Sequence, residues 1–158
     1  WQLRIFGLVE EELELDWERL LALPWISLNA DFHCVTQWSA LDNAWEGVLF
    51  SDLMGLVVPK PEAQHIMAHS YGGYTTNLPL EVALDGGILA HKRNGEELGL
   101  DHGWPLRLVV PSRYAWKSAK WLNGIEFMAE DKPGFWEVRG YDNNADPWKE
   151  ERFWPELR

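Results

Sequence analysis

Cysteine is nearly absent: the 158 residues contain one, Cys34. A lone thiol has no intramolecular partner, so a disulfide framework within the chain is excluded. Without a second cysteine or a CxxC pair, a zinc finger and a protein-held iron–sulfur cluster are excluded too. Basic residues are also scarce, with 14 Lys and Arg against 25 Asp and Glu and a net charge of −11. That balance argues against nucleic acid and anionic membranes as partners, because phosphate-rich surfaces are bound by clustered Lys and Arg. No apolar run approaches the ~18 residues that span a bilayer, so no membrane insertion is expected. No P-loop and no GxGxxG is present; the paired glycines at 72–73 and 86–87 read as turns. No signal peptide is visible. The chain opens at Trp1 without a methionine, and truncation at the N-terminus is expected. A single cysteine fits a reducing compartment, and a cytoplasmic location is the expectation.

What is present is a chain of single-domain length, 1–158, with 46% hydrophobic residues and eleven tryptophans. So many indoles suggest a core of large rigid rings or an aromatic-lined cavity. "WQLRIFGLV" alternates and reads as a half-buried strand ending near Gly7; "DWERLLALP" reads as a short helix capped by Asp16 and stopped by Pro24. "LDNAWEG" looks turn-like, and "VLFSDLMGLV" (48–57) has apolar residues at helical spacing, closed by the prolines of "VPKPE". "AQHIMAHS" reads as a strand, "LEVALD" as a short helix ended by Gly86 and Gly87, and "GILAHKRNGEEL" as a strand turning at Asn94–Gly95. "LRLVVP" and "IEFMAE" read as strands flanking "YAWKSAKWLNG", one or two turns of helix. The aromatic tail resists assignment. These elements do not alternate as βαβ units, so a mixed α+β domain is predicted.

Charge is unevenly distributed. Residues 10–18 hold six acids and no base, whereas residues 102–120 hold Arg107, Arg113, Lys117 and Lys120 with no acid. An acidic chain that keeps one acid-free basic stretch looks built to hold an anion, or else presents a solvated basic face. Lys117 and Lys120, three apart, are expected on one side of a helical turn following the strand of Arg107, where a phosphate could be held. Cys34 is either packing or chemistry. A thiolate is a soft ligand, and a single one suits a metal whose other ligands come from a cofactor. His33 adjoins it, but adjacent side chains on a strand face opposite ways. His65 and His69 are four apart, a metal-binding spacing only on a helix, and here they fall on a strand.

Four stretches, "DFHCVTQWSALDNAWEGV" (31–48), "YGGYTTNLPL" (71–80), "HGWPLRLVVPSRYAWKSAKWLNGIEF" (102–127) and "GFWEVRGYDNNADPWKEERF" (134–153), carry a resemblance. Together, and in this order, they resemble the sulfite-oxidase family of molybdopterin-dependent oxidoreductases in its short form, without haem or dimerisation domains. The resemblance implies a mixed α+β fold and a molybdenum–molybdopterin cofactor. Cys34 would be the catalytic thiolate that binds molybdenum. Thr76 would line the cofactor, His102 and Arg107 would bind pterin and phosphate, and Ser118, Ala119 and Lys120 would form the turn that closes over the phosphate. The last of these falls in the stretch that charge alone picked out. After its cysteine, sulfite oxidase proper has an arginine-bearing stretch. Here Val35–Trp38 contains none, which brings the chain nearer to the bacterial branch that includes the catalytic subunits of methionine-sulfoxide reductases.

The function implied is oxygen-atom transfer to or from a small S-oxide, N-oxide or oxyanion, with electrons exchanged with a separate carrier. Trp38 and Tyr114 are candidates for setting substrate preference. Two rivals are a cofactor-free binding module on the same fold and a cysteine-dependent hydrolase pairing Cys34 with a histidine.

Overall fold

The computed structural model describes residues 1–157. Strands β1 (Gln2–Gly7), β2 (Leu13–Asp16), β3 (Ile26–His33), β4 (Ser39–Leu49), β5 (His65–Ser70), β6 (Thr75–Pro79), β7 (Ile88–Arg93), β8 (Glu96–Glu97), β9 (Arg107–Val109) and β10 (Leu122–Met128) form two sheets. One has the order β2-β1-β10-β5-β6; the other runs β3-β4-β7-β8, with β9 on the same edge of β7 as β8. Among the described residues only the β1–β10 pairing is parallel, joining the first strand to the last. The two α-helices, α1 (Trp17–Leu21) and α2 (Leu80–Leu84), have five residues each, and the remaining helical turns are 3₁₀. The architecture is α+β. Among the described residues no helix is long and apolar enough to cross a membrane.

The alternation of "WQLRIF" does what the period predicts: Leu3 and Ile5 are fully buried and pair with Leu15 and Ile125 on the neighbouring strands. They join Val48, Phe50, Ile66, Leu89, Leu108 and Phe127 in the main core. A second cluster packs Trp45, Ile88 and Val109 against Ile26, Leu28 and Phe32. Asp16 caps α1 by accepting from the Arg19 amide at 2.8 Å. Asn94 and Gly95, with φ of 54° and 81°, make the β7–β8 turn. Gly47 is needed for close approach, since a Cβ there would collide with the Leu89 carbonyl oxygen across the sheet.

Three expectations are corrected. "LDNAWEG" is part of β4, the longest strand, rather than a turn. Its polar residues serve an irregular register opposite Ala30–Phe32, where the Asn43 amide donates to the Ala30 and Ala40 carbonyls. Residues 48–57 are not one helix: β4 continues to Leu49, and a 3₁₀ turn, Phe50–Gly55, buries Phe50 and Leu53. Apolar residues three apart satisfy a single 3₁₀ turn as well as an α-helix. Finally, the turn after β9 is only Ala115–Lys117, so Lys117 and Lys120 do not share a face. Lys117 is buried in a polar network, whereas Lys120 lies on the wall of a cleft.

Candidate active site

The β3–β4 hairpin brings Cys34 to its tip. The Cys34 amide donates to the Trp38 carbonyl at 2.9 Å and the Gln37 amide to the Cys34 carbonyl at 3.1 Å, with Gln37 at φ 70°. The thiol is half-buried and lies 3.2 Å from the Thr36 hydroxyl. The neighbouring His33 is occupied elsewhere, its Nδ1 2.7 Å from the Ser39 hydroxyl. Among the described residues no hydrogen bond joins Cys34 to a histidine.

Cys34 opens onto a cleft of about 430 Å³ whose wall also includes His102, Arg107, Ser118 and Lys120. Five of the seven residues singled out from sequence thus meet in one place. The remaining two stand behind the wall. Ala119 is buried, and its carbonyl accepts from the Leu108 amide at 2.9 Å, which ties the 118–120 turn to β9. Thr76 is fully buried and donates to Glu137 Oε1 at 2.9 Å.

Arg107 dominates the electrostatics of the cleft. It is 6% exposed; its two Nη groups donate to the His102 carbonyl at 3.1 Å and the Ser118 carbonyl at 2.9 Å. Its Nε has no partner, and no carboxylate pairs with it among the described residues. Its guanidinium lies 5.1 Å from the Phe32 ring and 5.8 Å from the Trp45 ring. Burial, helped by repulsion from Arg93, pushes its pKa down to about 10. Burial and the charge of Arg107 also lower the pKa of Lys120, whose ammonium donates to the Asp101 carbonyl at 2.9 Å. Two cations, neither in an ion pair among the described residues, and a soft thiol therefore face the same space. That set can hold an anion at one end and a thiophilic metal at the other.

The rest of the wall is aromatic, with Trp38, Tyr74, Trp116, Trp121 and Trp136. The tryptophan count announces such a cavity without saying which rings line it. Behind it lies a network that no sequence feature points to. Glu137 Oε1 receives Lys117 Nζ at 2.7 Å, the Thr76 hydroxyl at 2.9 Å and the Trp116 indole at 3.1 Å. Lys117 also donates to the Asn77 carbonyl at 2.8 Å. Burial lowers the Lys117 pKa, and Glu137 opposes that shift. The network holds Trp116 in the wall, and the Tyr74 hydroxyl donates to the Trp116 carbonyl.

His65 and His69 lie on β5, as predicted, and His69 meets Glu126 at 3.0 Å. Among the described residues no group of three or more His, Cys, Asp or Glu could hold a metal unaided.

A family profile described as "Oxidoreductase molybdopterin binding domain" matches residues 1–136. The chain is 47% identical over 154 residues to the uncharacterized oxidoreductase YuiH of Bacillus subtilis, covering 97% of this chain and 78% of that one. It is 29% identical to sulfite oxidase of Arabidopsis thaliana over 177 residues, 89% of this chain and 45% of the plant enzyme. The crystal structure of the sulfane dehydrogenase SoxCD from Paracoccus pantotrophus superposes with a TM-score of 0.77 at 26% identity, over 89% of this chain and 40% of that one. The chain therefore spans less than half the length of the last two. It belongs to the family of sulfite-oxidase-like oxidoreductases that bind molybdenum–molybdopterin.

Proposed function

We propose that the cleft holds the molybdenum–molybdopterin cofactor, with Cys34 as the metal's protein ligand, and that the protein moves an oxygen atom to or from a small S-oxide, N-oxide or oxyanion. The observation that carries this reading is Arg107, a buried guanidinium with no carboxylate partner among the described residues, on the same wall as the only thiol. A buried cation is costly unless something anionic answers it. A pterin phosphate answers Arg107, with Lys120 beside it, and the soft thiolate suits a metal whose other ligands are sulfurs of the cofactor.

When bound, the cofactor supplies the two-electron redox chemistry. The protein's residues do the rest. Ser118 fixes Arg107 through its carbonyl, and its hydroxyl accepts from the Val110 amide at 2.9 Å. His102 lines the wall and gives its carbonyl to Arg107. Ala119 and Thr76 act from behind, one through β9 and the other through Glu137 and Trp116. The indoles make the wall mainly apolar. Reduction of an S-oxide consumes two electrons and two protons and releases water, so a separate electron carrier is part of this reading. A cytoplasmic location is part of it too, supported by the single unpaired thiol.

The test is molybdenum and pterin content per chain in protein from a host that makes the cofactor, compared with Cys34→Ser. The expected result is near-stoichiometric metal and pterin in the wild type, and retained pterin with lost turnover in the variant. Absence of both from the wild type would overturn the reading and favour a cofactor-free binding module.

A further inference from the structure

Cys34 borders two spaces. Besides the cleft, it lines a recess of about 310 Å³, and Cys34 and Trp38 are the residues common to both walls. If the cofactor fills the first, the second is where a small molecule reaches the same thiol without passing the pterin.

Two features distinguish the recess. Tyr114 lines it, 2% exposed, and the Tyr114 hydroxyl has no hydrogen-bond partner among the described residues. Its ring is held by stacking on Trp116, with centroids 5.4 Å apart and planes at 11°. A buried donor left unanswered costs free energy, so the position is suited to an acceptor supplied from outside. The second feature is charge. Arg152 is the recess's guanidinium, and it is committed: Nε donates to the Val35 carbonyl at 3.2 Å and Nη1 pairs with Glu150 at 3.3 Å. Glu150 and Asp146 both bear on Tyr114, as does Arg152 in the opposite sense. His33, the other titratable group there besides the Cys34 thiol, is taken by Ser39. Among the described residues the cations of the cleft have no carboxylate partner, whereas the recess has a paired cation and an unpaired neutral donor.

We propose that the recess is the substrate site and that Tyr114 donates to the oxygen of an uncharged S-oxide or N-oxide, while oxyanions are disfavoured because Arg152 is neutralised by Glu150. This rests on the cofactor reading of the cleft and narrows its substrate class. Of the three classes considered above, it drops the oxyanion.

The experiment uses metal-loaded protein carrying 3-fluorotyrosine, with the Tyr114 resonance identified by its loss in Tyr114→Phe. Dimethyl sulfoxide and trimethylamine N-oxide should shift that resonance, and nitrate should not. Reduction of both oxides by a reduced viologen should show KM raised roughly tenfold in Tyr114→Phe, the scale of one lost hydrogen bond, at unchanged molybdenum content. Glu150→Gln, on an exposed side chain, frees Arg152 and should make nitrate shift the resonance. Loaded protein with unchanged KM in Tyr114→Phe and no shift with either oxide would overturn the proposal. So would a nitrate shift in the wild type equal to that in Glu150→Gln. Failure to load molybdenum would bring down the cleft reading and this one with it, and metal content separates that failure from the others.

Discussion

Arg107 and Lys117 are both cations withdrawn almost completely from water, and the protein answers them in opposite ways. Lys117 meets Glu137 at 2.7 Å and the Asn77 carbonyl at 2.8 Å, deep behind the aromatic wall. Arg107 meets two carbonyls and two ring faces, and no carboxylate among the described residues. One charge is closed within the fold, whereas the other is left open toward a cleft. The contrast separates the two sites more sharply than burial does, because burial alone is nearly the same for both.

If this distinction holds, removing Lys117 gives the largest effect on stability. Lys117→Met leaves the Glu137 carboxylate buried with only the Thr76 hydroxyl and the Trp116 indole, and breaking such a pair costs about 3–5 kcal/mol. The urea midpoint should fall accordingly, and adding Glu137→Gln should recover a large part of the loss. A cost below about 1 kcal/mol for Lys117→Met would mean that the pair is not the closed unit described here.

Arg107→Met should behave differently. Losing two hydrogen bonds to carbonyls is offset by no longer burying an unpaired charge, so the change in ligand-free protein is expected within about 1 kcal/mol. What disappears is the response to anions. Inorganic phosphate at ten times its Kd should stabilise the wild type by about 1.4 kcal/mol, and Arg107→Met should abolish the rise in melting temperature. The linkage has a definite sign. The pKa of Arg107 is lowered from the ordinary guanidinium value to about 10, so between the two the unfolded chain binds more protons than the folded one. The cost of the buried charge is present below about pH 10 and is relieved as pH rises above it. Arg107→Met lacks that relief, and its stability should fall more steeply than that of the wild type across the same window. Parallel curves would show that Arg107 is not held as an unpaired cation.

The two cations also show what could be read from sequence. The acid-free stretch 102–120 flagged Arg107, Lys117 and Lys120 equally, because charge along a chain says nothing of depth. Arg107 and Lys120 reached the cleft; Lys117 went the other way because its partner, Glu137, lies 20 residues on, in an aromatic tail without a periodic pattern. Local signals were legible: the alternation of β1, the Asp16 cap, the Asn94–Gly95 turn and the short helix α2. Misread were stretches whose residues answer to distant partners, such as Asn43 in β4 serving Ala30 and Arg93. The wall tryptophans were countable but not placeable, since rings from 38, 116, 121 and 136 meet only through the fold.

The smallest effect is expected where a pair is closed but not buried. Arg4 and Glu12 meet at 2.8 Å with both side chains more than half exposed. Water screens the attraction and two long side chains must be held still for it, so Arg4→Ala should lower the urea midpoint at neutral pH only slightly. The trace of the pair is in acid. The Glu12 pKa is lowered by the Arg4 hydrogen bond from the ordinary 4.5. Its contribution is therefore present above that value and lost as pH falls below it through the folded pKa. Stability curves of wild type and Arg4→Ala should differ slightly at pH 6 and merge at the acid end. A gap as large as that of Lys117→Met would show that closure by a carboxylate matters irrespective of depth. It would also undo the contrast drawn between the two buried cations, since depth would no longer be what gives a missing partner its weight.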